Sequence, residues 1–416
     1  MEELIPRHQL GWGRECLGAF PAVVIQGARQ VGKSTFARML LEDRPHVAVT
    51  LDDEMTRAAA REDPRAFADQ AGDGTLIIDE IQRDPQILLA IKASIDRNRT
   101  PGRFVLTGSS DLLRLSRTPD SLAGRAVTID LYGLSQGELA RTRDDFGAWV
   151  HEQEGAMNGG ASSWDRTDYA SVLARGGYPD AIGHGSKLRA AWFDSYLERL
   201  LRRDVGDVSR GLSSDRLRSV LALVAANQGG ELVQARLADA LAIPTSSISA
   251  YVSALNTLYL THDLPPWRTN LTRREIGRHK LSIADSGLAM RLAGLQPTHL
   301  SSLTAAPVLG AQLEAFVAAE LAKQRGWSEA EYRLFHFRDR DGLEVDLVLE
   351  FEDGRVFLIE VKATTTYRGE HIRPIRTLAE RLGDRFIGGA VLGLAPERVQ
   401  LADRVWGIPI TALWQR

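Results

Sequence analysis

The stretch "AVVIQGARQVGKSTFARMLLE", residues 22–42, decides the fold of the amino-terminal part. A short apolar run meets a glycine-bounded turn, and a helical run follows. The turn satisfies G-x-x-x-x-G-K-[ST] through Gly27, Gly32, Lys33 and Ser34. The two glycines let the backbone turn tightly, so its N–H groups converge on an anion. The helix that opens at Lys33 adds the favourable field of its N-terminus. In this strand–loop–helix context Lys33 is placed to reach the β and γ phosphates of a nucleotide, and Ser34 to bind Mg²⁺. Thr35 is counted with the nucleotide contacts.

Outward from this loop, "AVVIQG", "HVAVTLDD", "TLIIDE", "RFVLTGSS" and "AVTIDL" read as five strands separated by helical stretches. Their near-continuous apolar character predicts parallel strands buried on both faces, in an α/β sheet. "TLIIDE" ends in Asp79, suited to holding Mg²⁺, and Glu80, suited to orienting a water on the γ phosphate. "RFVLTGSS" ends in Thr107 and Ser109, either of which could sense that phosphate.

The chain has 416 residues, 44% hydrophobic and 25% charged, which predicts a globular protein of two to three domains. Cys16 is its one cysteine, so neither an intrachain disulfide nor a cysteine metal cluster is possible. "MEELIPRHQL" lacks a signal-peptide apolar core, and no run approaches the ~18 apolar residues of a membrane span. A cytoplasmic protein with no membrane partner is expected. The net charge of −3 excludes a whole-surface affinity for nucleic acid, so any such contact must come from local Lys and Arg clusters.

"VIQGARQVGKST", "TLIIDEIQ", "VLTGSS", "LAGRAVTIDLYGLSQGEL" and "GGYPDA" together resemble the AAA-type ATPases, specifically the bacterial and archaeal group whose core carries a C-terminal domain of unknown function. The resemblance covers nearly the whole chain and implies an ATP-hydrolysing P-loop core, here residues 1–140. By it Arg125 is a candidate arginine finger or sensor, with a strand-edge ion pair as the alternative. The chain has no guanine-reading N-K-x-D element, which favours ATP over GTP. A homo-oligomer is possible.

Residues 141–167, including "GAMNGGASSWD", are rich in Gly and Ser and predict a loop or linker. Residues 165–300 read as a helical and winged-helix domain. Trp192, Phe193, Tyr196, Leu197, Leu200 and Leu201 recur at helical spacing in one long helix. Three more helices and a short ribbon then resemble a winged helix-turn-helix, the third opening after Pro244 with Ile248, Val252, Leu255 and Leu258 as its inner stripe. The arm "PWRTNLTRREIGRHK" carries Arg268, Arg273, Arg274, Arg278, His279 and Lys280, which either contact phosphates or only pack. The third helix has no Arg or Lys, which argues against sequence-specific readout.

Residues 301–416 form a separate α/β unit in this reading. In "LEVDLVLE", alternation puts Glu344, Asp346 and Val348 on one face and Val345, Leu347 and Leu349 on the other. In "LIEVKA", Glu360 and Lys362 share a face. A turn at "EDGR" makes the strands neighbours and gathers Asp346, Glu360 and Lys362. Two carboxylates and a lysine suit Mg²⁺, or Mn²⁺, and phosphodiester chemistry. The D…E-x-K order resembles the restriction-endonuclease-like superfamily, with Glu314 matching a further metal-binding acid on its first helix, although Val345 stands where that motif often has proline. The alternatives are a surface sheet with cross-strand ion pairs, or a retained fold with little activity. The leading expectation is an ATP-dependent, metal-dependent nuclease acting on nucleic acid, DNA favoured. The alternative is an ATP-driven switch or scaffold whose C-terminal part binds a partner without cutting.

Overall fold

The computed structural model describes residues 4–109, 122–152, 161–208, 211–268 and 277–415. The chain divides into two compact units, the first built chiefly from residues up to Leu134 and the second from Ser135 onward.

In the first unit β1 (Ala22–Gln26), β2 (His46–Thr50), β3 (Thr75–Asp79), β4 (Phe104–Gly108) and β5 (Ala126–Asp130) form one parallel sheet, ordered β2-β3-β4-β1-β5. Because the strands are parallel, their carboxy-terminal ends share one rim, where open α/β sheets bind ligands. That rim carries Gly27 after β1, Glu80 after β3 and Thr107 in β4. The core lies against helix Ile87–Arg97 through Phe104, Leu106, Ile78, Ile91 and Ile95. Burial on both faces holds for β1, β3 and β4 but not for β2, which is exposed along nearly its whole length. Its "HVAV" is an edge strand with a single neighbour, so it reads as apolar without being covered.

The second unit opens with a turn explained by its sequence. Ser135 and Glu138 cap the helix Gln136–Ala140 reciprocally, and a Cβ on Gly137 would lie 2.1 Å from the Asp144 carboxylate. The expected linker over 141–167 is corrected in part: Phe146–Glu152 is a helix whose Phe146, Trp149 and Val150 join the main core. The i, i+3, i+4 spacing of those three residues carried the signal. Residues 153–160 of that stretch lie outside the described residues. In "GGYPDA", Gly177 N–H donates to half-buried Asp285, and a Cβ on Gly176 would fall 2.5 Å from the same carboxylate.

Helix Ser186–Val208 buries Phe193, Tyr196, Leu197, Leu200 and Leu201, with Trp192 stacked on Tyr196. Helices Ser214–Ala226, Gln234–Leu241 and Thr245–Thr257 follow, then the antiparallel ribbon of β6 (Thr261–Leu264) and β7 (Lys280–Ile283). Ile248, Val252, Leu255 and Leu258 are all buried.

The largest sheet is mixed, ordered β12-β13-β11-β10-β9-β8. Its strands are β8 (Tyr332–Arg338), β9 (Glu344–Phe351), β10 (Val356–Val361), β11 (Phe386–Gly393), β12 (Val399–Ala402) and β13 (Val405–Pro409). Helix Ala306–Gln324 covers one face and helix Arg373–Leu382 the other. The segment Leu303–Gln324 is long and apolar enough to cross a membrane by length and composition, although polar residues interrupt its apolar run. Most of it is buried: Leu309, Leu313, Phe316, Val317 and Leu321 are core and pack with Tyr169, Leu173, Leu264 and Met290 from the preceding region, while Leu303 and Val308 are exposed. Residue 300 therefore does not separate two compact units.

One register expectation is overturned. Phe335 pairs with Val348 but Phe337 with Val345, so Asp346 and Leu347 together face His336 across a β-bulge. The bulge changes the phase of alternation. Val345 packs beside Val348 under helix Arg373–Leu382, while Leu347 and Leu349 pack under the other helix.

Candidate functional site

Two groups of chemistry-bearing side chains stand out, one in each unit. The first is at the rim of the parallel sheet. Gly27 has φ +151°, and a Cβ there would lie 2.0 Å from the Leu131 carbonyl oxygen, so only glycine fits. Gly32, at φ +94°, leads into helix Lys33–Leu40. The Lys33 amine is buried and donates to the Gly27 and Ala28 carbonyls at 3.0 and 2.7 Å, folded over its own loop. Ser34 Oγ donates to both Asp79 oxygens at 3.0 Å, and Thr107 Oγ1 also donates to Asp79. Thr35 is the next residue of the helix and is half-buried. A hydroxyl on a carboxylate at the mouth of a phosphate loop fits Mg²⁺.

Glu80 follows in a left-handed conformation, φ +57°, a costly geometry for a side chain with a Cβ. Its N–H donates to Thr107 Oγ1 at 3.3 Å. Its carboxylate accepts from Gln82 and from Ser109 Oγ, the latter at 3.3 Å, and Arg29 of the loop approaches to 3.9 Å. Arg125 is not brought to this group. It precedes β5, at the opposite end of the sheet, and its guanidinium makes a fork on Asp96 at 2.7 and 3.0 Å. That pairing holds Arg125 above its ordinary pKa and Asp96 below its own.

The second group lies where β9 and β10 meet. Lys362 Nζ stands 2.6 Å from Glu360 Oε2 and 3.3 Å from Asp346 Oδ2, and the Val361 N–H donates to Asp346 at 2.8 Å. Asp346 and Glu360 are buried, and Glu360 Oε1 has no hydrogen-bond partner. Glu314 is held elsewhere: buried Lys280 reaches it at 2.7 Å and Glu344 at 2.8 Å. Burial first, then the charge of Asp346, push Glu314 and Glu360 well above the ordinary glutamate range. Burial works against the charges on Lys280 and Lys362, yet the carboxylates outweigh it and raise both amines.

Among the described residues, no three His, Cys, Asp or Glu side chains come together as a metal cage. Asp346 and Glu360, with one Glu360 oxygen unpartnered among the described residues, instead suit an ion that keeps several waters, as Mg²⁺ does.

Of the basic arm, one member is corrected and two are placed. Lys280 is a buried ion-pair partner and not a surface cation, Arg278 stands 3.7 Å from Glu231, and His279 contacts Asp263 at 2.9 Å. Arg273 and Arg274 lie outside the described residues, and Arg268 is the last residue before that stretch.

With this geometry in hand, residues 19–140 match a family model described as an AAA domain. The amino-terminal core is thus similar to AAA domains and has their parallel sheet and phosphate loop. Residues 166–299 and 309–413 match two further models, each described as a domain of unknown function. Uncharacterised proteins of Mycobacterium bovis and Mycobacterium tuberculosis are each 29% identical over 354 residues, covering 85% of this chain and 73% of theirs. Among solved structures, a Walker-type ATPase of Pyrococcus abyssi is 18% identical at a TM-score of 0.42, covering 70% of this chain and 96% of that one. DnaA of Aquifex aeolicus bound to AMPPCP is 11% identical at a TM-score of 0.27, covering 59% and 85%. Similarity at that level transfers no activity.

Sequence reasoning missed several members of both groups. In the AAA domain Gln82 and Arg29 stand beside Glu80, and only their nearness to the motifs "DE" and "GARQVGKS" hinted at it. In the second unit Lys280 sits 34 residues from Glu314 in sequence, and no pattern links them.

Proposed function

We propose that the protein hydrolyses ATP in its AAA domain and acts on nucleic acid through its second unit, where Asp346, Glu360 and Lys362 cleave a phosphodiester in a metal-dependent reaction. The observation that carries the ATPase reading is the convergence of Lys33, Ser34, Asp79, Thr107 and Glu80 on one rim. The loop amides and Lys33 take the β and γ phosphates, which draws the amine off the Gly27 and Ala28 carbonyls. Ser34 and Asp79 would hold Mg²⁺, which supplies charge neutralisation on the phosphate oxygens. Glu80 accepts the hydrogen bond that aims water at the γ phosphorus, and Gln82 and Ser109 fix the direction of its carboxylate. Arg125, at the far end of the sheet, serves only another subunit's nucleotide if it serves one.

In the second unit Asp346 and Glu360 would hold Mg²⁺ or Mn²⁺, which supplies an activated water at neutral pH. Lys362 steadies that water or the charge that develops on the phosphate. DNA is the favoured substrate and is engaged without sequence preference, because helix Thr245–Thr257 has no Arg or Lys to read bases. A cytoplasmic location completes the proposal.

A second reading is an ATP-driven switch whose second unit cuts nothing. It is favoured by Lys280 and Lys362, which already pair with all four carboxylates. The deciding experiment incubates the purified chain with Mg²⁺ or Mn²⁺ and single- or double-stranded DNA or RNA. Cleavage that disappears in each of Asp346→Ala, Glu360→Ala and Lys362→Ala, with ATP affinity by calorimetry unchanged, supports the nuclease. Absence of cleavage by the parent under every metal rejects it and leaves the switch. Lys33→Ala is expected to lose nucleotide binding in the same calorimetric assay, and unchanged affinity would reject the ATP site.

A further inference from the structure

The acidic group at β9 and β10 poses a problem for any anionic substrate. Four carboxylates, Glu314, Glu344, Asp346 and Glu360, face two amines, Lys280 and Lys362, and the Arg338 guanidinium 3.5 Å from Glu344. A phosphate chain approaching such a surplus is repelled unless cations flank the approach.

Topology puts cations at that place. β10 pairs in parallel with β11, and helix Arg373–Leu382 makes the crossover between them. The helix must run back along the sheet, so its first turn lies at the carboxy-terminal end of β10, beside Glu360 and Lys362. It packs through Ile375, Leu378 and Leu382 on the face that holds Val348 and Leu358. Strand alternation carries Leu358, Glu360 and Lys362 to that same face.

Arg373 and Arg376 are exposed on this first turn, and neither has a hydrogen-bond or ion-pair partner among the described residues. Other arginines of the same sheet are committed: Arg333 and Arg385 to Glu350, Arg338 to Glu344, Arg355 to Asp353 and Arg381 to Asp339. Arg368 is exposed just before the helix, 3.9 Å from exposed Glu370. The charges of both Lys362 and Arg368 reach His371 on the connecting turn, which ties this turn to the acidic group. Uncommitted guanidinium groups at a helix N-terminus are strong ligands for phosphate, because their planar fork and the helix field act together.

We propose that Arg373 and Arg376, with Arg368 beside them, seat the phosphate backbone of the nucleic-acid strand that is presented to Asp346, Glu360 and Lys362. The proposal rests on the nucleic-acid reading of the second unit. It makes the crossover helix an electrostatic contact in addition to any made by the ribbon arm at 266–280.

The test uses the full chain in EDTA, so that binding is read without cleavage. Anisotropy of labelled 20-nucleotide single-stranded and 20-base-pair double-stranded DNA is followed as salt is raised. Arg373→Glu with Arg376→Glu is expected to weaken binding by about tenfold or more and to make the slope of log affinity against log salt shallower by about two units. Lys187→Glu with Arg202→Glu, an equal charge change at exposed positions of the same unit, controls for net charge. Arg373→Gln with Arg376→Gln, folded as judged by circular dichroism, should show a smaller loss of the same kind. Arginine variants that track the control pair overturn the proposal, and so does a parent chain that binds no DNA. A parent that binds through these arginines yet cuts nothing in Mn²⁺ leaves the surface standing and rejects only the nuclease.

Discussion

Replacing Lys280 by methionine should expose how the acidic group is held together. The amine is buried and touches Glu314 at 2.7 Å and Glu344 at 2.8 Å. Removing one partner of a buried pair costs roughly 3–5 kcal/mol, because the remaining charge is stranded. Glu314 and Glu344 keep 18% and 36% of their side-chain surface open, which places the cost near the bottom of that range, about 3 kcal/mol. Glu314 has an escape, since burial and Asp346 already raise its pKa and loss of Lys280 raises it further. A carboxyl whose folded pKa lies above its unfolded value binds more protons when folded, so its contribution to stability falls as pH rises between the two values. The penalty of Lys280→Met should therefore be small at pH 5.5, about 1 kcal/mol for the lost hydrogen bonds, and near its full value at pH 9. Urea denaturation followed by tryptophan fluorescence reads this unit, because every tryptophan except Trp12 belongs to it. Adding Glu314→Gln should recover at least half of the loss at pH 9 and little at pH 5.5. A penalty that is equal at both pH values, or a double variant whose losses simply add, would refute the reasoning.

Three further outcomes are expected. Glu80→Gln should bind ATP normally and hydrolyse it at least tenfold more slowly, because the amide keeps the Gln82 and Ser109 neighbourhood but loses the basic acceptor; parent-like turnover would move that role elsewhere. Gly27→Ala should abolish ATP binding in calorimetry, since the new methyl collides with the Leu131 carbonyl and the loop must shift; retained affinity would show that the loop tolerates the collision. Burial, then the charge of Lys280, depress His336 to about 4, so it binds fewer protons folded than unfolded. Its stability contribution is full above pH ~6.5 and is lost as pH falls toward 4, by up to about 3 kcal/mol. His336→Gln should flatten that part of the stability profile measured by urea titration, and an unchanged profile would assign the acid sensitivity to other groups.

The residues that make the phosphate loop were legible in order along the chain because their chemistry is local. Gly27, Gly32, Lys33 and Ser34 act through one turn, and the apolar runs before Asp79 and Thr107 announce strands whose ends must carry them. The parallel order of five strands then brings those ends to one rim, and this follows from short right-handed crossovers. The second unit was legible as helices and strands, through the buried stripes at Phe193, Tyr196 and Leu197 and at Ile248, Val252 and Leu255. Alternation predicted that Asp346, Glu360 and Lys362 would meet, because a two-residue period and a tight turn are again local facts. Tertiary structure decided the rest. The bulge opposite His336 shifted the phase of β9, and a bulge depends on the partner strand. Lys280, read from sequence as part of a basic arm that either contacts phosphates or packs, became a buried counter-ion because the β6–β7 ribbon packs it beside Glu314. Arg125 and Arg376 look alike as sequence letters, yet one is locked on Asp96 and the other is uncommitted. Charge pairing across long sequence distances leaves no period for sequence reading to detect. It is fixed only when packing decides which carboxylate each cation can reach.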